Sequence, residues 1–435
     1  MECEFAPTGS LRGTLRPPPD KSISHRAALI GAMGEKAVIE NCLNAADTRA
    51  TLAAIRALGG QVEMRPAKGA EGHPLGLVVT MSGPGLRGPA AAEIDVGNAG
   101  TLLRLLPGWL AGQAQGAWTI DGDASIRRRP VDRIAEPLRQ MGADVECRDD
   151  RLPPVRVTAA PLTGIEYALP VASAQVKSCL LFAGLLADGE TSLVEPSPTR
   201  DHTERMLRSA GAELVSAGDR VSVQPAQRLA VEKISVPGDL SSAAFPLVAA
   251  LLVPGSEIEI GDVGLNPTRA GLLAILERMG AAFEVEETEA VGGEPQGTIR
   301  ARASDLAATR VEGDEVALAI DELSLVALAA CFADGETVIA DAGELRHKES
   351  DRIAAVCEGL TALGGAVEPN DDGMVIRGVG GLRGGGLDAR GDHRMAMLGA
   401  VAGIASREGV VVRGFEAVEV SYPGFERDLA SLVAG

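Results

Sequence analysis

Leu138-Arg139-Gln140-Met141-Gly142-Ala143-Asp144-Val145 reads as the last turn of a helix, a glycine and the first residues of a strand, and it is not alone. The same form returns as Ile55-Arg-Ala-Leu-Gly59-Gly-Gln-Val, Leu207-Arg-Ser-Ala-Gly211-Ala-Glu-Leu, Leu276-Glu-Arg-Met-Gly280-Ala-Ala-Phe and Leu360-Thr-Ala-Leu-Gly364-Gly-Ala-Val. The five glycines lie 83, 69, 69 and 84 residues apart. Glycine takes the positive φ of a helix C-cap at no steric cost, which is why the form recurs. A sixth copy is expected at Leu429-Ala-Ser-Leu-Val-Ala-Gly435.

Ahead of each copy stands a polar cluster leading an apolar helix and a strand. These clusters are Asp20-Lys21-Ser22, Gly97-Asn98-Ala99, Ser173-Ala174-Gln175, Gly238-Asp239-Leu240-Ser241, Ile320-Asp321-Glu322 and Gly391-Asp392-His393-Arg394. The second helix of a unit is expected to open with capping or first-turn chemistry, as at Asp47-Thr48, Arg129-Pro130, Asn266-Pro267 and Glu349-Ser350-Asp351. Such units are longer than the roughly 20–50 residues of a solenoid repeat, so two globular domains of three units each are expected. We place one domain at residues 16–233 and the other at 1–15 plus 234–435, with the crossover near 229–236 and the N-terminal stretch pairing as a strand in the second domain.

The 435 residues carry 41 Lys+Arg against 60 Asp+Glu, a net charge of −19, with 46% apolar and only 3% aromatic residues. That composition excludes a disordered or collagen-like chain. The acidity and the scarcity of aromatic stacking platforms argue against a nucleic-acid partner. Apolar runs such as 243–254 and 323–333 are too short to span a bilayer. Met1-Glu2-Cys3-Glu4-Phe5 lacks the pattern of a secretory signal, so a cytoplasmic protein is expected. Cys3, Cys42, Cys147, Cys179, Cys331 and Cys357 are scattered without metal-ligand spacing, and read as reduced thiols held mostly in helices.

Polar turns at helix N-termini carry unpaired N–H groups and the positive end of the helix dipole, a ready anion site. This acidic chain adds cations at those turns: Lys21 and Arg26, Arg104, Lys177, His393 and Arg394. Others stand at second-helix starts: Arg127, Arg128 and Arg129 before Pro130, Arg200, and Arg346, Lys348 and Arg352. If the turns converge, the ligand carries several negative charges. Asp321 and Glu349 interrupt the cationic set, and carboxylates so placed suit general base and acid roles. Capping for Asp321 and an ion pair for Glu349 are the alternative readings, which spacing leaves open.

At these residues the chain resembles the enolpyruvyl transferase family, and within it the branch that acts on shikimate 3-phosphate. The resemblance rests on Asp20-Lys-Ser-Ile-Ser-His-Arg26, Gly97-Asn-Ala-Gly-Thr101, Arg129-Pro130, Ser173-Ala-Gln-Val-Lys177, Asp321-Glu322, Arg346-His-Lys-Glu-Ser-Asp-Arg352 and Asp392-His-Arg-Met-Ala396. They run in the family's order along nearly the whole chain. The resemblance implies two inside-out α/β domains, each of three βαβαββ repeats, with the active site in the cleft between them. It implies transfer of the enolpyruvyl group of phosphoenolpyruvate to the 5-hydroxyl of shikimate 3-phosphate with release of phosphate, in a monomer that needs no metal or other cofactor.

Carried over residue by residue, Lys21, Ser22, Arg26, Ser173, Ala174, Gln175, Arg200, Asp321 and Lys348 resemble the shikimate 3-phosphate set. Lys21, Gly100, Arg129, Gln175, Arg352 and Arg394 resemble the phosphoenolpyruvate set, with Asn98, Thr101 and His393 in support. Asp321 resembles the base that takes the 5-hydroxyl proton. Glu349, with Lys21 alongside, resembles the group that handles the proton at the phosphoenolpyruvate methylene.

The sequence also departs from its relatives. Val420 stands where many carry a Lys before the Ser-Tyr-Pro run, and Arg200 stands where others use neutral groups. Gly100 leaves room for the competing inhibitor glyphosate, where some tolerant relatives have Ala, and so implies sensitivity. Two other readings compete with this one. The sister branch acting on UDP-N-acetylglucosamine typically has a Cys in the loop before Arg129-Pro130, and residues 121–129 contain none. A non-catalytic anion-binding repeat protein would use Asp321 and Glu349 only as caps.

Overall fold

The computed structural model describes residues 1–68 and 73–433, so the last two residues of the expected sixth copy lie outside the described residues. The chain divides into two compact units. The N-terminal unit comprises Pro19–Pro237 and Ala290–Glu294; the C-terminal unit comprises Met1–Pro18, Gly238–Glu289 and Pro295–Gly435.

The chain opens with β1 (Glu2–Phe5) and β2 (Arg12–Leu15). The first repeat then runs α1 (Lys21–Met33), β3 (Ala37–Leu43), α2 (Ala46–Ala57), β4 (Gln61–Pro66) and β5 (Gly76–Ser82). The second runs β6 (Ala92–Asp95), α3 (Gly100–Ala111), β7 (Ala117–Asp121), α4 (Asp132–Gln140), β8 (Asp144–Arg148) and β9 (Leu152–Thr158). The third runs β10 (Glu166–Ala168), α5 (Ala174–Gly184), β11 (Thr191–Val194), α6 (His202–Ser209), β12 (Leu214–Ala217) and β13 (Arg220–Val223). Within a repeat the leading strand pairs parallel with the next strand, and the last two form an antiparallel hairpin, as in the order β6-β7-β9-β8. The first repeat has no leading strand of its own. Strand β14 (Lys233–Ser235), from the crossover, fills that place parallel to β3.

The C-terminal unit repeats the plan. Its first repeat is α7 (Leu240–Leu252), β15 (Glu257–Gly264), α8 (Gly271–Arg278), β16 (Ala282–Val291) and β17 (Glu294–Arg302), with β2 as leading strand parallel to β15. The next is β18 (Arg310–Val311), α9 (Asp314–Ala319), α10 (Leu323–Phe332), β19 (Glu336–Ile339), α11 (Arg352–Ala362), β20 (Ala366–Pro369) and β21 (Met374–Arg377). The last is β22 (Gly385–Asp388), α12 (His393–Ala405), β23 (Val410–Arg413) and α13 (Phe425–Leu432), and here β1 pairs antiparallel with β23. The architecture is therefore two α/β units of three repeats each, the last repeat having a three-stranded sheet in which β1 stands in place of a hairpin. The unit borders fall later than the sequence suggested, at 18/19 and 237/238. The reason is that β14 is hydrogen-bonded into the first repeat's sheet, while Pro18 accepts a bond from the amide of Asp239.

The glycine of each helix-to-strand junction takes positive φ: 97° at Gly59, 100° at Gly142, 83° at Gly211, 85° at Gly280 and 95° at Gly364. The first helices are buried on nearly every side, as α1 and α3 show, so they form the interior of each unit. Gly108 permits their close approach, since a Cβ there would stand 1.9 Å from the carbonyl oxygen of Cys179 on α5. The second helices are amphipathic; α4 buries Ile134, Ala135, Pro137 and Leu138 and leaves its charges outside.

Capping separates the two helix sets in a way the sequence did not. Asp20, Ser173, Asp239 and Asp392 cap first helices through their side chains, whereas among the second helices only Asp351 does. Asp47 and Thr48 stand in the first turn of α2, where Thr48 Oγ1 accepts from the amide of the N-cap Ala45, whereas Pro130 and Asn266 lie ahead of α4 and α8, which start after Val131 and Ala270. Of the six unpaired cysteines, Cys179, Cys331 and Cys357 lie in helices and Cys3, Cys42 and Cys147 on strands, an even division rather than mostly helices. No described helix is long and apolar enough to cross a membrane.

Candidate active site

Because the first helices pack together, their polar N-terminal turns meet. In the N-terminal unit Gln175, in the first turn of α5, accepts from Arg104 Nη1 at 3.0 Å and donates to Thr101 Oγ1 at 3.1 Å. Gly100 opens α3 beneath Arg129, whose Nη2 donates to Asn98 Oδ1 at 3.2 Å. Asn98 in turn donates to Asp123 Oδ2 at 2.6 Å. Lys21 Nζ lies 3.2 Å from Asp47 Oδ2. Ser173 caps α5 by accepting from the amide of Val176. The turns of α3 and α5 are thus joined by side chains, while Lys21 at the turn of α1 reaches α2.

Arg26 is buried and directs three N–H groups to protein: Nε to Thr203 Oγ1 at 2.8 Å, Nη2 to Ser178 Oγ at 3.0 Å and Nη1 to the Ser22 carbonyl at 3.1 Å. Burial, then the nearby charge of Arg200, lowers its pKa to about 10, still cationic at neutral pH. Arg127, by contrast, is exposed and pairs with Asp121. Lys177 is buried between two carboxylates, 2.8 Å from Glu195 Oε2 and 2.6 Å from Glu204 Oε1.

In the C-terminal unit Asp321 lies in the turn between α9 and α10 and is the focus of three cations. Lys348 Nζ and Arg352 Nη1 approach Oδ1 at 3.7 and 3.6 Å, and Arg394 Nη2 approaches Oδ2 at 3.7 Å. These are ion pairs just beyond hydrogen-bond length, so the cations keep donors available. Arg352 Nη1 is buried without a hydrogen-bond partner among the described residues. Asp321 is not the cap of α10; Glu322 holds that position.

Arg352 is 1% exposed, and its Nη2 bonds Glu349 Oε2 at 2.5 Å while its Nε bonds Asp392 Oδ2 at 3.0 Å. Burial would lower the guanidinium pKa, but Asp392, Glu349 and Asp321 outweigh it and the value rises. Burial lowers the Lys348 ammonium below the usual lysine value, against the pull of Asp321. Asp392 is fully buried, caps α12 and also accepts from Ser350. Burial favours its neutral form, but Arg352 reverses this and the carboxyl pKa ends low. His393, next in α12, is buried.

Several partners of these side chains were not found from sequence. Glu322 is 1% exposed and binds Arg269 through both oxygens, at 2.7 and 3.0 Å. It also accepts from Ser241 and, at 3.3 Å, from Arg394. Arg394 further donates to Ser241 Oγ at 3.1 Å and to the Asp321 carbonyl at 3.0 Å. Glu322 sits beside Asp321 in a repeated turn, which was a usable signal; Arg269 carried none.

The arrangement offers cations for several anionic groups, with two carboxylates beside them. Comparison with known proteins follows the same line. The model of the EPSP synthase family (3-phosphoshikimate 1-carboxyvinyltransferase) matches residues 5–429. A 3-phosphoshikimate 1-carboxyvinyltransferase of Methylococcus capsulatus is 46% identical over 423 residues, 96% of this chain and 94% of its own. Its counterpart in Desulforudis audaxviator is 46% identical over 440 residues, 99% of each chain. A solved structure of EPSP synthase from Acinetobacter baumannii superposes with a TM-score of 0.86 at 40% identity, covering 99% of this chain and 98% of that one.

Proposed function

We propose how the residues divide the work from one premise: the chain belongs to the EPSP synthase family. It is an enzyme that transfers the enolpyruvyl group of phosphoenolpyruvate to the 5-hydroxyl of shikimate 3-phosphate and releases phosphate. In the N-terminal unit we assign Lys21, Ser22, Arg26, Ser173, Ala174, Gln175 and Arg200 to shikimate 3-phosphate. Lys21, Gly100, Arg129 and Gln175 serve phosphoenolpyruvate, with Asn98 and Thr101 holding Arg129 and Gln175. In the C-terminal unit Asp321 and Lys348 serve the acceptor, Arg352 and Arg394 serve phosphoenolpyruvate, and His393 supports them. Arginine suits the phosphate and carboxylate roles because its fork bonds two oxygens at once and stays charged.

The observation that carries this reading is Asp321 among Lys348, Arg352 and Arg394. Lys348, Arg352 and Arg394 face this carboxylate, whose oxygens can accept a proton. Substrate anions engage the same cations, which brings the reactants beside Asp321. Asp321 then takes the 5-hydroxyl proton as that oxygen attacks C2 of phosphoenolpyruvate, and Glu349 delivers a proton to C3. In the resulting tetrahedral intermediate Glu349 recovers a C3 proton while the C2–O bond to phosphate breaks, Asp321 returns its proton to the departing phosphate, and the enol ether of the product forms. Glu349 is held at this place by Arg352 Nη2.

The chain is further proposed to act as a monomer in the cytoplasm, a reducing compartment that suits its unpaired cysteines; sedimentation with and without substrates tests the monomer. Phosphate release from phosphoenolpyruvate, measured with shikimate 3-phosphate and separately with UDP-N-acetylglucosamine, tests the activity. Release with the first acceptor alone is expected. Release with the second would assign the sister reaction, and release with neither would leave an anion-binding protein.

A further inference from the structure

Lys177 takes no part in the roles assigned above, although its ammonium is among the most enclosed charges in the protein, at 1% exposure. It stands in the first turns of α5, next to the Ser173-Ala174-Gln175 turn. Besides Glu195 and Glu204, Nζ donates to the Thr199 carbonyl at 3.4 Å. Thr199 closes the circle by donating its hydroxyl to Glu195 Oε1. Glu195 and Thr199 bracket a loop with prolines at 196 and 198, and the residue that follows is Arg200. Glu204 lies in α6 next to Thr203, which receives Arg26 Nε.

One buried ammonium therefore fastens three pieces of chain: the start of α5, the 195–200 loop and the start of α6. The side chain of Glu204 is 2% exposed and that of Glu195 12%, and both face the one buried ammonium, so the loop cannot leave Lys177 without separating this charge cluster. The stiff loop passes that fixity directly to Arg200.

We propose that Lys177 is a positioning residue for shikimate 3-phosphate, acting through Arg200 by clamping the 195–200 loop to α5 and so making the protein selective for the phosphorylated acceptor. The inference rests on the assignment of Arg200 as a phosphate ligand. It predicts an effect confined to one substrate. General loss of structure would weaken both.

The test compares steady-state kinetics of Arg200→Ala, Lys177→Met and the double variant in the full-length protein. Arg200→Ala should raise KM for shikimate 3-phosphate; if it does not, the assignment of Arg200 fails. Given that rise, Lys177→Met should raise the same KM about tenfold, leave KM for phosphoenolpyruvate within about twofold, and add nothing further on top of Arg200→Ala. A rise that adds to that of Arg200→Ala, or that is equal for both substrates, overturns the role of Lys177 while leaving Arg200 in place. If Lys177→Met does not fold, Glu195→Gln, which keeps the Lys177–Glu204 pair, replaces it in the same cycle with the same expected and overturning results.

Discussion

A methyl group placed on Gly100 would stand 2.7 Å from Nη1 of Arg129. The guanidinium can swing away, so Gly100→Ala should fold normally but move Arg129. Losing one charge-assisted hydrogen bond is worth about 1.5 kcal/mol, roughly tenfold in affinity. KM for phosphoenolpyruvate should rise by that order, with KM for shikimate 3-phosphate nearly unchanged. Initial rates against each substrate decide the point; equal effects on both would refute it.

Asp321→Asn removes the proposed base and the negative charge that Lys348, Arg352 and Arg394 share. Turnover should drop by about 10²–10⁴. Shikimate 3-phosphate binding, measured by calorimetry, should hold or tighten, because three cations lose a competitor for their charge. Weaker binding with normal turnover would contradict both statements.

The lowered pKa of Lys348 has a kinetic signature. Its charge is lost at lower pH than for an ordinary lysine, so kcat/KM for shikimate 3-phosphate should begin its alkaline decline early. Lys348→Arg stays charged and should move that limb upward. For stability, the unfolded chain keeps this proton longer, so the contribution of Lys348 rises with pH between its lowered pKa and 10.5. A pH profile identical in the variant would remove Lys348 from the acceptor's charge set.

His25 makes acid the enemy of the fold. It is buried with Nδ1 2.6 Å from Thr51 Oγ1, and burial pushes its pKa down to about 3. Between about 6.5 and 3 the unfolded chain gains a proton that the folded one refuses, so stability falls with pH across that window. By pH 5 the loss from this group is about 2 kcal/mol. Urea unfolding at pH 7 and pH 5 should show a steeper loss in the parent than in His25→Gln.

Glu322→Gln should be costly on two counts. It leaves the buried guanidinium of Arg269 without its carboxylate, a loss of about 3 kcal/mol or more. It also frees Arg394 from one of its anchors, so KM for phosphoenolpyruvate should rise. Thermal unfolding reads the first effect and initial rates the second; a variant with parental stability would show that Arg269 finds another counter-charge.

The five glycines from Gly59 to Gly364 made the repeats legible, because a helix C-cap with positive φ is a local demand that the backbone imposes on the residue itself. The polar turns at Lys21, Asn98, Ser173, Asp321 and Asp392 were legible for the same reason, since a helix start must satisfy its own N–H groups within a few residues. Repetition of those two signals was enough for two domains of three repeats, and the cations at the turns pointed to polyanionic ligands on the condition that the turns converge. What sequence left open was how each charge is spent. Arg26 and Arg394 look alike as cations at repeated turns, yet the first directs its donors to Thr203, Ser178 and Ser22 while the second lies against Asp321. Lys177 matched the same pattern and proved to be closed off by Glu195 and Glu204. Those outcomes depend on partners many residues away, Glu322 on Arg269 and Asp392 on Arg352, which meet only when helices of different repeats pack. The strand exchanges had the same character: β14 and β2 lead sheets far from their own place in the chain, completing edges that the first repeat of each unit leaves open. Local sequence wrote the repeats, and long-range packing decided which charges remain for substrate, because a charge is consumed by whatever faces it in space.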